Sequence, residues 1–204
     1  MKFLENIAAI SMLQPDLMGF IFYPESKRFV GENFQRDALH LVPEGIKKVG
    51  VFVNESYEHI MGRYDAYELD VVQLHGNESA QLCHQFHEKN IPVIKAIHVD
   101  DTFEPEVLAG YEPYCRYFLF DTKTPGFGGS GRTFSWRNLE KYTLETPFFL
   151  SGGLGIENID EVLQIEHPML QGLDLNSKLE SKPGWKEREV SLAIIQKIRN
   201  HEHI

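Results

Sequence analysis

Residues Phe118–Trp136 read FLFDTKTPGFGGSGRTFSW. Phe118 to Phe120 close an apolar run of strand character, Asp121 ends it with a carboxylate, and Gly126, Gly128, Gly129 and Gly131 make a loop able to fold over a ligand before Ser135 caps a helix. Strand, acid, glycine-rich loop and helix together are one βα unit. In an α/β barrel that junction is where an acid or base stands. The same residues also suit a solvated aspartate at the start of a turn, and the rest of the chain separates the two readings.

Working outward, the pattern repeats. Apolar runs of strand length lie at residues 18–23, 47–53, 69–75, 91–97, 116–120, 146–154 and 169–177. Helical segments at 34–41, 56–64, 78–88, 105–110, 135–141, 158–164 and 186–199 alternate with them. Strict alternation with near-continuous apolar strands requires a parallel sheet covered by helices, either an open doubly wound sheet or a closed barrel. Polar residues follow most strand ends and no GxGxxG loop follows an early strand, which favours the (β/α)8 TIM barrel. The chain nevertheless opens on a helix, with Leu4, Ile7, Ala8 and Ile10 at helical spacing and Pro15 beyond them, and seven strands do not close an eight-strand ring. The expected fold is therefore the barrel without its first strand.

The 204 residues suffice for a single domain spanning 1–204. Lys and Arg total 20 against 30 Asp and Glu, a net charge of −10, so the average surface repels nucleic acid and anionic membranes. An anionic small molecule needs a local cationic or helix-terminal site on such a chain. The two cysteines, Cys83 and Cys115, form no CxxC and no metal-like cluster, which suits a reducing compartment. No apolar run approaches membrane-spanning length, and Glu5 and Asn6 interrupt any leader-like stretch. The expectation is a cytoplasmic protein.

The residues after the strands are Arg28, Gln73 with His75, Lys95, Asp121, Gly152 with Gly153, and Asp174 with Asn176 and Ser177. A barrel brings them to one face. The loops after the last two strands commonly bind phosphate through backbone N–H groups, and SGGL and DLNSKLE suit that task through Gly152, Gly153, Asn176 and Ser177. Those residues can equally serve tight turns and a helix cap. Arg28 can clamp a carboxylate with its fork or sit solvated in a loop. Gln73 and His75, two apart, project to one side of a strand, where the histidine meets a ligand or simply ends the strand. Lys95 could form a Schiff base, but inside VIKAI a structural or electrostatic role fits better.

Six segments taken together resemble one family: GFIFYPESKRFV, VGVFVNES, VVQLHGNES, FLFDTKTPGFGGSGRTFSW, FFLSGGLGIENI and GLDLNSKLESKPGWKE, in order over nearly the whole chain. That family is phosphoribosylanthranilate isomerase, the (β/α)8 barrel of tryptophan biosynthesis. The resemblance implies an Amadori rearrangement of N-(5-phosphoribosyl)anthranilate to 1-(2-carboxyphenylamino)-1-deoxyribulose 5-phosphate, an aldose–ketose isomerisation with no metal or organic cofactor, by a monomer or homodimer. It places Asp121 as general acid on the ribose ring oxygen, Arg28 on the anthranilate carboxylate, and Gly153, Asn176 and Ser177 in the phosphate segments.

The chain also departs from the pattern. The family's general base is a cysteine in an N-terminal K-(I/V)-C-G motif at the end of the first strand, and that motif is missing here. On the family pattern, the given chain starts just after the cysteine–glycine pair, so a loss of about 10²–10⁴ in rate is expected. The N-terminus is expected to be disordered, to pair differently, or to be covered in a dimer, with the strands around Met18 and Gly172 left unpaired. Lys178 stands where many relatives carry glycine in N-S-G-x-E. Two further readings remain: a sugar-phosphate-binding barrel that has lost catalysis, and another sugar-phosphate enzyme relying on Lys95 or a metal.

Overall fold

The computed structural model describes residues 1–100, 102–122, 139 and 141–201. Seven strands run β1 (Leu17–Ile21), β2 (Lys47–Phe52), β3 (Val71–Leu74), β4 (Val93–Val99), β5 (Tyr117–Thr122), β6 (Phe148–Ser151) and β7 (Leu170–Leu173). Every neighbouring pair is parallel, and the sheet order follows the chain order from β1 to β7. Among the described residues β1 and β7 are the two edges of this curled sheet.

Helices cover the outer face: α1 (Leu4–Ser11), α2 (Tyr57–Ala66), α3 (Ala80–His87), α4 (Ile159–Val162) and the closing α5 (Arg188–Arg199). Ser56 and Ser79 cap α2 and α3, each accepting a hydrogen bond from the backbone N–H three residues on. The segment read from Glu78 thus starts at Ala80, since Ser79 caps it and Glu78 turns inward. Residues 34–41 and 105–110 tighten into 3₁₀ turns, Arg36–Leu41 and Pro105–Leu108, the latter with proline at its start. A small antiparallel hairpin, β8 (Glu180–Lys182) and β9 (Trp185–Lys186), escaped the sequence reading; it turns at Pro183–Gly184, where Gly184 has φ of 85°. The helix expected over 135–141 and the loop over 124–131 lie outside the described residues, save Leu139 and Lys141.

Period-two alternation divides the sheet into two cores. Val49, Val71, Ile94, Ala96 and Leu119 pack together on the inner face. Phe20, Phe52, Phe118, Phe120 and Phe148, each at 1 % exposure or less, belong to the larger cluster between sheet and helices. Phe120 and Phe148 meet with ring centroids 4.8 Å apart. A third cluster of Ile159, Leu163, Leu179 and Ile194 seats α5 over α4.

The expected N-terminal disorder is not what the structure shows. Ile7 and Ile10 of α1 are buried, and Asn6 exchanges two 2.8 Å hydrogen bonds with the backbone of Lys186. The Met1 nitrogen donates to the Gly19 carbonyl at 2.6 Å, and Arg199 donates to the Leu13 carbonyl at 3.4 Å. An apolar helical stripe and a paired amide anchor this segment.

Candidate functional site

Strand register sets the mouth of the sheet. His98 on β4 lies opposite Asp121 on β5, and Asp121 opposite Ser151 on β6. Counting by twos, Ile94, Ala96 and His98 share the inner face, while Lys95 points the other way. His75, just past β3, and Asp174, just past β7, complete the rim.

A cavity of about 1210 Å³ opens there. Arg28, Gln73, His75, Asp121, Gly152, Gly153, Asp174, Asn176 and Ser177, all expected from the sequence, line it together. Lys95 does not. Its ammonium donates to the carbonyls of Leu74, Gly76 and Ala96 and to Glu78 Oε2 at 3.1 Å, in the outer layer. Neither cysteine lines the cavity; both are buried, and the Cys115 thiol is pushed up by its hydrogen bond to Cys83 and by burial.

At the acid, Gln73 Nε2 lies 2.8 Å from His75 Nδ1. With the amide donating, the ring proton sits on Nε2, which faces Asp121 Oδ2 at 3.4 Å. His98 Nδ1 is 3.6 Å from the same oxygen. The Asp121 carboxylate therefore stands between two imidazoles, one oriented by an amide and one largely exposed.

Just past β6, next to the Ser151 that pairs with Asp121, Gly152 and Gly153 have φ of 105° and 64°, a left-handed pair that residues with a side chain adopt at a cost. Asn158 braces their loop, accepting from Gly155 N at 2.8 Å and donating to the Gly153 carbonyl at 3.1 Å. Lys178 packs against Gly155, where an added Cβ would lie 2.8 Å from the Lys178 Cβ. Its ammonium pairs with Glu157 at 2.6 Å, and that hydrogen bond holds the Glu157 carboxyl below its ordinary range.

Two cations give this acidic chain its local positive site. Arg28 is held by Glu180 through Nε and Nη2, both 2.7 Å from Oε2. Lys186 donates to the Asn176 carbonyl at 3.2 Å and to its Oδ1 at 3.0 Å, and lies 3.5 Å from Glu180 Oε1. Burial pushes the Lys186 ammonium below its ordinary value, against the pull of Glu180 and Asp174. Burial likewise raises the Asp174 carboxyl, opposed by the charges of Lys186 and His75 and by a 3.3 Å hydrogen bond from Ser151.

Glu180 shifts the other way. Burial opposes its ionisation, but the Arg28 hydrogen bond and the charges of Lys186 and Arg28 outweigh burial and hold its pKa below the ordinary value. A carboxylate with a depressed folded pKa contributes stability that is complete above its unfolded value, about 4.3, and lost as pH falls through the folded value. The Tm difference between the wild type and Glu180→Gln is expected to be largest near neutrality and to narrow below about pH 4.3. Thermal melts across pH 3–7 check this, and a constant difference would contradict it.

Sequence reasoning missed Lys186, Glu180, Ser151 and His98. For His98 the signal existed: continuing the alternation two residues past Ala96 reaches it, but the strand was read as ending at Ile97 whereas β4 runs to Val99. Lys186 reaches the cavity, and Glu180 reaches Arg28, through a hairpin that no local pattern had announced. Among the described residues no group of three His, Cys, Asp or Glu side chains could hold a metal ion, and no helix is long and apolar enough to cross a membrane.

A family model described as N-(5'phosphoribosyl)anthranilate (PRA) isomerase matches residues 2–197. An N-(5'-phosphoribosyl)anthranilate isomerase of Parabacteroides distasonis is 42% identical over 198 residues, 95% of this chain and 88% of that one. The crystal structure of the phosphoribosyl anthranilate isomerase of Thermotoga maritima superposes with a TM-score of 0.83 at 33% identity, covering 98% of this chain and 96% of that one. A second solved isomerase, in complex with reduced 1-(o-carboxyphenylamino)-1-deoxyribulose 5-phosphate, gives a TM-score of 0.81 at 29% identity and covers 98% of this chain and 95% of that one.

Proposed function

Because the chain belongs to the phosphoribosylanthranilate isomerase family, we propose that it binds N-(5-phosphoribosyl)anthranilate and isomerises it to 1-(2-carboxyphenylamino)-1-deoxyribulose 5-phosphate, a step of tryptophan biosynthesis. One observation carries this reading: Arg28, Asp121, the Gly152–Gly153 loop and the Asn176–Ser177 turn all line one cavity. A ligand that carries both a carboxylate and a phosphate matches that set of groups.

In the proposed reaction Asp121, protonated, gives its proton to the ribose ring oxygen and the ring opens. Loss of the C2 proton then yields the enolamine, which tautomerises to the ketone. Backbone N–H groups of the left-handed glycine loop and of the Asn176–Ser177 turn hold the phosphate. Arg28, already oriented by Glu180, offers its remaining N–H donors to the anthranilate carboxylate. His75, oriented by Gln73, fixes the Asp121 carboxyl. No thiol lines the cavity among the described residues, so the cysteine base expected from the resemblance has no counterpart there. Asp174, at the rim near Asp121, is the carboxylate proposed to take the C2 proton, and slow turnover is the proposal for this chain.

Turnover followed by the loss of anthranilate fluorescence tests the reading. The chain is expected to convert substrate above the uncatalysed rate. Arg28→Ala is expected to raise KM about tenfold to a hundredfold, the scale of one lost charged hydrogen-bond partner, about 1.5–3 kcal/mol. If the wild type binds the reduced product analogue but never turns over, the chain is a binding protein derived from the family. Failure to bind it at all removes the reading.

A further inference from the structure

Lys186 belongs to neither anion end, yet touches Asn176 of one and Glu180, which holds Arg28 of the other. Its ammonium bonds the backbone and side-chain oxygens of Asn176, at 3.2 and 3.0 Å, and lies 3.5 Å from Glu180 Oε1. The other oxygen of Glu180 holds Arg28 at 2.7 Å. Asn176, Lys186, Glu180 and Arg28 thus form one continuous chain of polar contacts.

The backbone of Lys186 is pinned independently. Its N–H and C=O both pair with the Asn6 side chain at 2.8 Å, so α1 fixes where β9 carries the lysine. Gly184 N donates to Glu180 Oε1 at 3.1 Å and closes the hairpin around the same carboxylate. The Lys186 side chain is only 13 % exposed, so few waters can replace its bonds.

Resting on the isomerase reading of this cavity, we propose that Lys186 is a positioning residue that holds the phosphate and carboxylate ends in register. It fixes the Asn176 turn directly and fixes Arg28 through Glu180. Without the ammonium, Asn176 loses the bond at its Oδ1 and keeps only the Leu179 N–H at its carbonyl, and Glu180 keeps Arg28 as its one cationic partner. Arg28 is then drawn further onto Glu180 and away from a ligand carboxylate. Burial lowers the Lys186 pKa, and the charges of Glu180 and Asp174 and the Glu180 hydrogen bond oppose that shift.

The test uses the two halves of the proposed substrate separately, anthranilate and ribose 5-phosphate, with dissociation constants measured by titration calorimetry on the full chain. Arg28→Ala is expected to weaken anthranilate alone, and Asn176→Ala to weaken ribose 5-phosphate alone. Lys186→Met is expected to weaken both about fivefold or more, and Lys186→Arg to recover most of the loss. A Lys186→Met protein that binds either half as the wild type does overturns the proposal. So does loss of both halves in Lys186→Arg at an unchanged Tm, because a second cation at the same place should restore the bridge. A wild type that binds neither half overturns the reading of the cavity itself, and this proposal with it. The three results are distinct, and none depends on turnover.

Discussion

Asp121→Asn is expected to lower kcat by about 10²–10⁴, the range in which a positioned general acid contributes, with KM changed much less. Asparagine keeps the shape and can still meet His75 and His98, but it holds no proton to give. The side chain is about one quarter exposed, so the exchange leaves no unpaired buried charge and the fold should persist. Steady-state kinetics beside a thermal melt separate the two effects. A folded Asp121→Asn protein with wild-type kcat would remove Asp121 from the acid's place, since the two imidazoles near its Oδ2 are then the groups able to carry the proton.

The largest effect on stability is expected from Lys95→Met. Lys95 and Glu78 have side-chain exposures of 3 % and 2 % and lie 3.1 Å apart. Glu78 also accepts from the N–H groups of Asn54 and Gly76, and Lys95 donates to three carbonyls. Removing the ammonium leaves a buried carboxylate without its cation and three oxygens without their donor. Breaking such a pair costs about 3–5 kcal/mol. For a chain of this size that lowers Tm by roughly 6–20 °C. Lys95→Met with Glu78→Gln is expected to recover part of the loss, because the residual charge is gone. Urea and thermal unfolding of the single and double variants decide it; a Lys95→Met shift of a degree or two would mean that water reaches the pair.

The pair also matters for the cavity. Glu78 ties the loop after β2, through Asn54, to the loop after β3, through Gly76, directly behind His75. Lys95 therefore supports the site from the outer layer without entering it. A Schiff-base role is incompatible with that direction, and alternation along β4 is the reason: its neighbours Ile94 and Ala96 occupy the inner face.

Much of this was legible in the chain. Alternating apolar runs and helical stripes determine seven parallel strands in chain order, because each strand's hydrophobic residues have nowhere else to go. The strand-end residues Arg28, Gln73, His75, Asp121, Gly152, Gly153, Asp174, Asn176 and Ser177 follow from the same rule, since parallel strands deliver all their C-terminal ends to one face. Departures occur where packing outweighs local pattern. Residues 36–41 and 105–108 tighten into 3₁₀ turns, and β4 runs on to carry His98 into the mouth. The N-terminal segment is held by Asn6 and the buried face of α1.

What the sequence by itself determined is therefore the order of the elements, the face on which the strand-end residues gather and the acidic balance that makes local cations necessary. Only the tertiary structure decided which cations serve and how they are held. A hairpin brings Lys186 to the cavity and Glu180 to Arg28, and the meeting of Glu180 with Arg28, 152 residues away along the chain, is a long-range contact. Local propensity carries no information about such a contact. It exists because buried charges require partners, and the fold alone determines which partners are within reach.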